Sequence, residues 1–147
     1  MKVVVQRSKY SSVEVNKKIV SEIDNGLVVL VGFTETDTIE EIKKLAKKIV
    51  NLRIFDDENN IMNKSVLDVG GSILSISQFT LYADTSKGNR PSYINALKSD
   101  EANKLYELFN EELKSYGITV KTGIFGAEMV VNITNDGPVT IIINSAY

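Results

Sequence analysis

Short β-branched runs and alternating apolar residues occupy the N-terminal part of the chain. Residues 3–5 are all valine, which predicts a β-strand. A β-hairpin is predicted around the polar tip at residues 16–18, because apolar residues flank it on both sides, namely Val13, Val15, Ile19 and Ile23. The compact apolar run of residues 27–33 predicts a strand that is buried on both faces.

Two longer segments follow the spacing of amphipathic helices. Thr38 and Glu41 match the capping box of a helix N-terminus, and apolar residues then recur at helical spacing over residues 39–52, with lysines largely opposite. A second helix is predicted to begin near Asp100 and to end before Gly117. Its predicted buried stripe consists of Ala102, Leu105, Tyr106, Leu108, Phe109 and Leu113.

Further strands are predicted in the second half of the chain, at residues 73–81, 118–122, 129–133 and 139–143. Residues 135–138 are predicted to form the turn between the last two. About seven strands accompany the two helices, and hairpin patterns outnumber crossovers. The sequence therefore predicts an α+β fold, in which two long helices pack against a curved, mostly antiparallel, barrel-like sheet.

Length and charge limit the possible classes of protein. The 147 residues correspond to roughly one domain, so residues 1–147 are predicted to form a single domain. A net charge of -2 excludes a strongly basic nucleic-acid module, although a local patch could still contact nucleic acid. The apolar runs are too short for a signal peptide or a membrane span. We therefore expect a cytoplasmic protein with no membrane partner.

The absence of cysteine and histidine removes whole classes of chemistry. Disulfides, Cys-His and Ser-His-Asp catalysis, and zinc sites built from imidazole or thiolate ligands are all excluded. Catalysis must use carboxylates, lysine, tyrosine, hydroxyls, backbone groups or the substrate itself. We expect no cofactor and no metal.

Four polar or small-residue segments are candidate sites, and each has a plain structural alternative. In a strand, Gln78 and Thr80 would share one face, which is either solvated or binds a small polar ligand. Lys87 and Arg90 belong either to a solvated loop or to a phosphate contact. Phe125, between two glycines, suits a tight bend with its ring in the core. Residues 135–138 would ordinarily be a hairpin turn with a trans Gly-Pro bond.

Taken together, in this order and spacing, these segments resemble the D-aminoacyl-tRNA deacylase family, the stand-alone editing enzymes of the D-tyrosyl-tRNA deacylase type. Ser-Gln-Phe-Thr-Leu at residues 77–81 and Asn-Asp-Gly-Pro-Val-Thr at residues 135–140 are similar to the two signatures of that family. The resemblance covers essentially the whole chain. Tyr93 departs from the more usual phenylalanine, and residues 8–10 depart from a stretch that usually holds a small residue.

The resemblance implies a homodimer, with active sites at the interface, that hydrolyses the ester between a D-amino acid and the 3′ end of tRNA. It implies a cis peptide between Gly137 and Pro138, held by Asn135 and Asp136, that enters the pocket of the partner subunit. A wall of this kind would reject L-amino acids by a steric clash. Since glycine has no side chain to clash, mischarged glycyl-tRNA is an expected second substrate.

The resemblance also implies the roles of the remaining site residues. Ser77, Gln78, Phe79 and Thr80 form the expected catalytic segment, and Phe125 lines the substrate pocket. Thr80 lacks an evident base and would be a weak nucleophile, so the 2′-hydroxyl of the tRNA is the implied activator of water. Lys87 and Arg90 are the expected tRNA contacts. The alternative is a non-catalytic RNA- or nucleotide-binding module.

Overall fold

One long strand pairs with three other strands of the sheet. In the computed structural model, which describes residues 1–146, β1 spans Lys2–Val15. One edge of β1 pairs antiparallel first with β3 (Gly26–Gly32) and then with β2 (Lys18–Ile23). Its other edge pairs antiparallel with β8 (Val130–Asn144) along almost the same length. β1 is thus an interior strand of the sheet, which is mostly antiparallel and barrel-like.

Parallel strands extend the sheet on the far side of β3. β6 (Ser72–Ser77) pairs parallel with β3, and β7 (Val120–Thr122) pairs parallel with β6. Parallel neighbours need crossover connections, which here contain the helices. The first crossover holds α1 (Ile39–Asn51) and a small hairpin of β4 (Phe55–Asp56) and β5 (Met62–Lys64), and the second holds α2 (Ser99–Lys114).

Apolar side chains cover both faces of the sheet. Leu27, Val29 and Val31 join the larger core, which contains both helices, whereas Val28 belongs to a second cluster on the opposite face. The prediction of a strand buried on both faces is thus confirmed. Across residues 1–146, no helix combines the length and the apolar character that crossing a bilayer requires.

The α+β prediction is confirmed, and the local patterns that supported it appear where expected. Thr38 caps α1, with both hydrogen bonds of the capping box to Glu41 present. The hairpin between β1 and β2 turns at Asn16 and Lys17, which both have positive φ angles. In α2, Leu108 was predicted to be buried but is exposed, because it lies beside the buried face of the helix. That face contains Ala102, Tyr106, Phe109 and Leu113.

The predicted strand at residues 73–81 is too long. β6 ends at Ser77, and residues Phe79–Tyr82 form a short 3-10 helix. The Gln78 N–H still donates to the carbonyl of Val31 at 2.7 Å, and the chain then turns, so that the Leu81 N–H donates to the carbonyl of Gln78. Gln78 and Thr80 therefore do not share the face of a strand, and the prediction from their alternation is wrong.

The two predicted C-terminal strands are one strand. β8 returns along β1 over its whole length, so residues 135–138 do not turn between strands that pair with each other. The valines at residues 3–5 and Val13 likewise lie in one strand rather than two. In both cases the shared partner strand is distant in the sequence, and a local pattern cannot reveal it.

Candidate active site

A pocket of about 560 Å³ opens at the carboxyl ends of the parallel strands β3 and β6. This edge of a parallel sheet is where ligand sites commonly form. The beginning of α2 and the loop before β8 complete the wall. The lining residues are Gly32, Phe33, Ile76, Ser77, Gln78, Phe79, Tyr93, Ala96, Leu97, Ser99, Ala102, Phe125, Gly126, Ala127, Met129 and Val131.

Four of the site residues predicted from the sequence meet in this pocket. Ser77, Gln78 and Phe79 come from the end of β6 and the start of the 3-10 helix, and Phe125 comes from the loop before β8. Thr80 follows them but is not part of the wall. Its Oγ1 accepts a hydrogen bond from Gln78 Nε2, so the hydroxyl is next to an amide rather than a base.

Close backbone packing holds the 3-10 segment against β3. A Cβ atom on Gly32 would lie 2.8 Å from the carbonyl oxygen of Gln78, so only glycine permits this approach. The sequence contained a sign of this contact, because Gly32 ends an otherwise apolar strand. Together with the hydrogen bond to Val31, this packing fixes the direction in which the backbone leaves the sheet.

Phe125 packs against a buried tyrosine of α2. The rings of Tyr106 and Phe125 have centroids 5.9 Å apart, and the Tyr106 hydroxyl donates to the carbonyl of Ser75 at 2.7 Å. Burial raises the pKa of Tyr106. The hydroxyl therefore stays protonated near neutral pH and ties the pocket wall to both α2 and β6.

The pocket wall contains no acidic or basic side chain among the described residues. Tyr82, in the neighbouring 3-10 helix, does not supply a phenolate, because burial, followed by the charges of Asp37 and Glu41, raises its pKa strongly. Within residues 1–146, no three acidic groups come together in a way that would hold a metal ion. The wall of one chain thus offers neutral hydrogen-bonding groups and apolar surface.

The second signature lies elsewhere, on a bulge of β8. Gln6 pairs with Thr140 and Ser8 pairs with Asn135, so residues 136–139 face the single residue Arg7. Asn135 closes the neck of the bulge by accepting from the Val139 N–H at 3.3 Å and donating to Thr140 Oγ1 at 2.9 Å. The three extra residues of β8 must therefore protrude from the ladder.

Gly137 and Pro138 are both exposed at the top of this bulge, and the peptide between them is cis. Gly137 has a φ angle of +119°, which disfavours any side chain at this position. Neither residue, nor Asn135 or Asp136, lines the pocket of its own chain. The structure of one chain therefore does not bring the two signatures together.

Arg7 lies under the bulge and was not singled out from the sequence. Its Nη1 donates to the carbonyl of Ile54 at 2.8 Å, and its Nε donates to the carbonyl of Asp136 at 3.2 Å. The carboxylates of Asp56 and Asp136 lie 3.6 and 3.3 Å away. Arg7 is only 8% exposed, which is rare for arginine unless it is paired. A single arginine just after the strand predicted at residues 3–5 gives no sequence pattern that would reveal this burial.

Lys87 and Arg90 are exposed on a loop close to the 3-10 helix. Asp84 and Ser92 close the base of this loop with two backbone hydrogen bonds, of 2.8 and 2.9 Å. The two cations do not line the pocket, but their loop leads directly into Tyr93, which does.

Comparisons with known proteins show which family the chain resembles. The sequence profile of the D-Tyr-tRNA(Tyr) deacylase family matches residues 4–144. A D-aminoacyl-tRNA deacylase of Geobacillus sp. (strain WCH70) is 57% identical over 145 residues, which cover 99% of this chain and 95% of that protein. A protein of the same description from Staphylococcus carnosus (strain TM300) is 58% identical, with coverage of 99% and 96%.

Solved structures share the fold. The c-Myc DNA unwinding element binding protein is 42% identical, with a TM-score of 0.92 and coverage of 98% of both chains. A probable eukaryotic D-amino acid tRNA deacylase superposes with a TM-score of 0.83 and covers 97% of each chain; at 18% identity it supports the fold alone.

The pocket, the fold and these similarities define a hydrolase that acts on an ester bond. More specifically, the chain belongs to the D-Tyr-tRNA(Tyr) deacylase family.

We expect Arg7→Lys to lower the free energy of unfolding by about 2 kcal/mol, since hydrogen bonds from a charged group each contribute about 1.5–3 kcal/mol. Lysine cannot reproduce the planar fork that reaches both carbonyls. Urea unfolding followed by circular dichroism measures the change. Arg53→Lys is the matched control, because Arg53 is exposed and donates its hydrogen bonds to Asn63. This control should change the free energy of unfolding by no more than about 0.5 kcal/mol. Equal losses in the two variants would contradict the assigned role of Arg7.

Proposed function

We propose that this chain hydrolyses the ester between a D-amino acid and the 3′ adenosine of tRNA, and that it releases the free amino acid and the tRNA. The main support for this proposal is the pocket lined by Ser77, Gln78, Phe79 and Phe125. The chain is also 57% identical to a D-aminoacyl-tRNA deacylase. Its volume of about 560 Å³ is within the usual range for small-ligand sites. The reaction takes place in the cytoplasm, where charged tRNA is found.

The neutral wall suits the hydrolysis of an aminoacyl ester. This ester is activated, so positioning of a water molecule and stabilisation of the oxyanion can replace a strong protein base. The N–H groups of Phe79 and Thr80 lie in the first turn of the 3-10 helix, where no carbonyl of that helix accepts them. These donors are suited to bind the carbonyl oxygen of the ester as it becomes negative.

A protein nucleophile is not needed for this reaction. The side-chain partner of Thr80 Oγ1 is the amide of Gln78, which donates a hydrogen bond and cannot accept the proton of the hydroxyl. In the proposed step, the 2′-hydroxyl of the terminal ribose orients a water molecule. The water oxygen attacks the ester carbon, the bond from that carbon to the ribose oxygen breaks, and the proton passes to this oxygen.

We propose that the complete site needs two copies of the chain. The bulge with Gly137 and Pro138 is exposed and lies outside the pocket of its own chain, which supports its entry into the pocket of a second copy. Within residues 1–146, β8 pairs only with β1, so its outer edge is free over fifteen residues. An exposed edge of this length invites pairing with another chain. Ile142, which is 75% exposed on β8, adds apolar surface there.

The same bulge accounts for the choice of D-amino acids. The carbonyl oxygens of Gly137 and Pro138 would bind the ammonium group of the substrate and leave no space for an L side chain. Arg7 holds Asp136 below them, so this wall is rigid. Glycine has no side chain, and the wall does not exclude it. Selectivity by a clash of this kind rejects the wrong substrate without a special contact to the right one.

Lys87 and Arg90 are the proposed contacts to the tRNA backbone. The chain carries a net charge of -2, so the remainder of the tRNA gains little from electrostatic attraction. Few phosphates are neutralised, and the affinity should fall only weakly with salt. Recognition is therefore concentrated on the 3′ end.

The decisive experiment is to incubate the protein with D-tyrosyl-tRNA, L-tyrosyl-tRNA and glycyl-tRNA and to count the released amino acid. We expect release from the D-tyrosyl and glycyl substrates and protection of the L-tyrosyl ester. A second candidate is a non-catalytic nucleic-acid-binding module, which the name of the 42% identical c-Myc DNA unwinding element binding protein favours. Binding of all three tRNAs without any release would support this module and overturn the enzyme.

Thr80→Ala should lose less than about tenfold in kcat/KM, because it removes only one neutral hydrogen bond. By contrast, D-tyrosyl-tRNA that ends in 2′-deoxyadenosine should be hydrolysed about 10²–10⁴-fold more slowly, which is the usual contribution of general acid-base assistance. Single-turnover release measures both. An inactive Thr80→Ala variant that still binds the substrate, or a trapped acyl-threonine, would establish Thr80 as the nucleophile.

A mixing experiment tests whether the site is shared between chains. Gln78→Ala removes a pocket residue, and Gly137→Ala places a Cβ atom 2.9 Å from Val139 Cγ2. Each variant alone should be nearly inactive. Random pairing of the two should restore about a quarter of the wild-type activity, because half of the dimers are mixed and each of these has one intact site. A mixture no more active than its parents, or a fully active monomer in sedimentation, would contradict the shared site.

A further inference from the structure

Two exposed aromatic rings stand at the mouth of the pocket. Phe79 and Tyr93 pack edge to face, with centroids 5.1 Å apart and an angle of 71° between the rings. Phe79 is 54% exposed and Tyr93 is 41% exposed, although both line the pocket. We call this pair the aromatic rim. Large aromatic side chains that remain this exposed beside a pocket mark a surface for a flat, apolar partner group.

A cationic loop joins the two halves of the aromatic rim. The backbone bridge between Asp84 and Ser92 brings the ends of the loop together, just after the 3-10 helix that contains Phe79 and just before Tyr93. Lys87 and Arg90 lie between these ends and are exposed. Positive charge and aromatic rings therefore belong to one short stretch of chain on one side of the pocket.

We propose that the aromatic rim and this loop bind the single-stranded 3′ end of the tRNA, with the base of the nucleotide before the terminal adenosine stacked on Tyr93. Aromatic faces next to a positively charged path are the usual means by which proteins hold single-stranded nucleic acid. Lys87 and Arg90 contact the phosphates on either side of this nucleotide. The inference rests on the proposed function, which places the terminal aminoacyl-adenosine inside the pocket.

Chain connectivity favours this occupant over others. With the ester inside the pocket, the RNA strand must leave through its mouth, and the aromatic rim forms part of that mouth. The rings are neutral and the adjacent loop is cationic, which complements a strand of stacked bases with a phosphate backbone. A second copy of the chain is the competing occupant, because Ile94, next to Tyr93, is 82% exposed.

The test compares a long and a short substrate. D-tyrosyl-tRNA contains the penultimate nucleotide, and D-tyrosyl-adenosine does not. Tyr93→Leu should lower kcat/KM for D-tyrosyl-tRNA relative to D-tyrosyl-adenosine by about 5- to 100-fold, the usual effect of losing one stacked base. Tyr93→Phe keeps the ring and should keep the ratio. Tyr10→Leu is the matched control, because Tyr10 is an exposed tyrosine on β1 that contacts Glu22.

A second measurement reads stacking directly and does not need catalysis. A short RNA oligonucleotide that ends in CCA, carries no amino acid and has 2-aminopurine in place of the penultimate base should lose fluorescence on binding the wild type and Tyr93→Phe, but not Tyr93→Leu. Arg90→Gln should lower the slope of log affinity against log salt by about one.

Several results would overturn the proposal. One is an equal loss with both substrates in Tyr93→Leu, or no loss with either. Another is a change of sedimentation coefficient in Tyr93→Leu, which would assign the aromatic rim to contact between copies. If the wild type hydrolyses neither ester, the proposed function fails, whereas quenching of 2-aminopurine still decides whether the aromatic rim binds RNA.

Discussion

The fold depends on the requirement that β1 be hydrogen-bonded along both edges. β3 and β2 share one edge, and β8 must follow the other edge over its full length. The three extra residues of β8 have no residues of β1 to pair with, so they protrude opposite Arg7. The sheet consequently produces two features at once, a projecting bulge and, within residues 1–146, a long strand edge without a partner strand. Both are suited to contact with another molecule, and neither completes a site inside its own chain.

The chemistry of the pocket follows from what surrounds it. Parallel pairing of β3 and β6 brings two carboxyl strand ends together, and Gly32 allows the 3-10 segment to lie directly against β3. The space left between these elements and α2 is lined by neutral groups. In the proposed function, a site of this kind acts through the placement of backbone donors and through shape. This agrees with a sequence that contains neither histidine nor cysteine.

Local sequence patterns predicted the local structure well and the long-range structure less well. The capping box at Thr38 and the tip at Asn16 and Lys17 act within a few residues, so their structures could be predicted directly. The continuity of β8 depends on a partner strand more than a hundred residues away, and no short window contains that information. Arg7 is buried only because Ile54 and Asp136 meet over it, which the sequence around Arg7 does not show. The two signatures were found through resemblance, since each had an ordinary structural explanation by itself.

The neutrality of the pocket wall has a consequence for how turnover responds to acidity. A wall without acidic or basic side chains contributes no ionisation of its own near neutral pH. The groups that change charge in that range are then those of the substrate, above all the ammonium group beside the ester. In the proposed reaction, the pH dependence near neutral pH is therefore expected to come from the aminoacyl-tRNA. We expect acidification near neutral pH to alter the reactivity of the ester, while the pocket wall keeps the same charge.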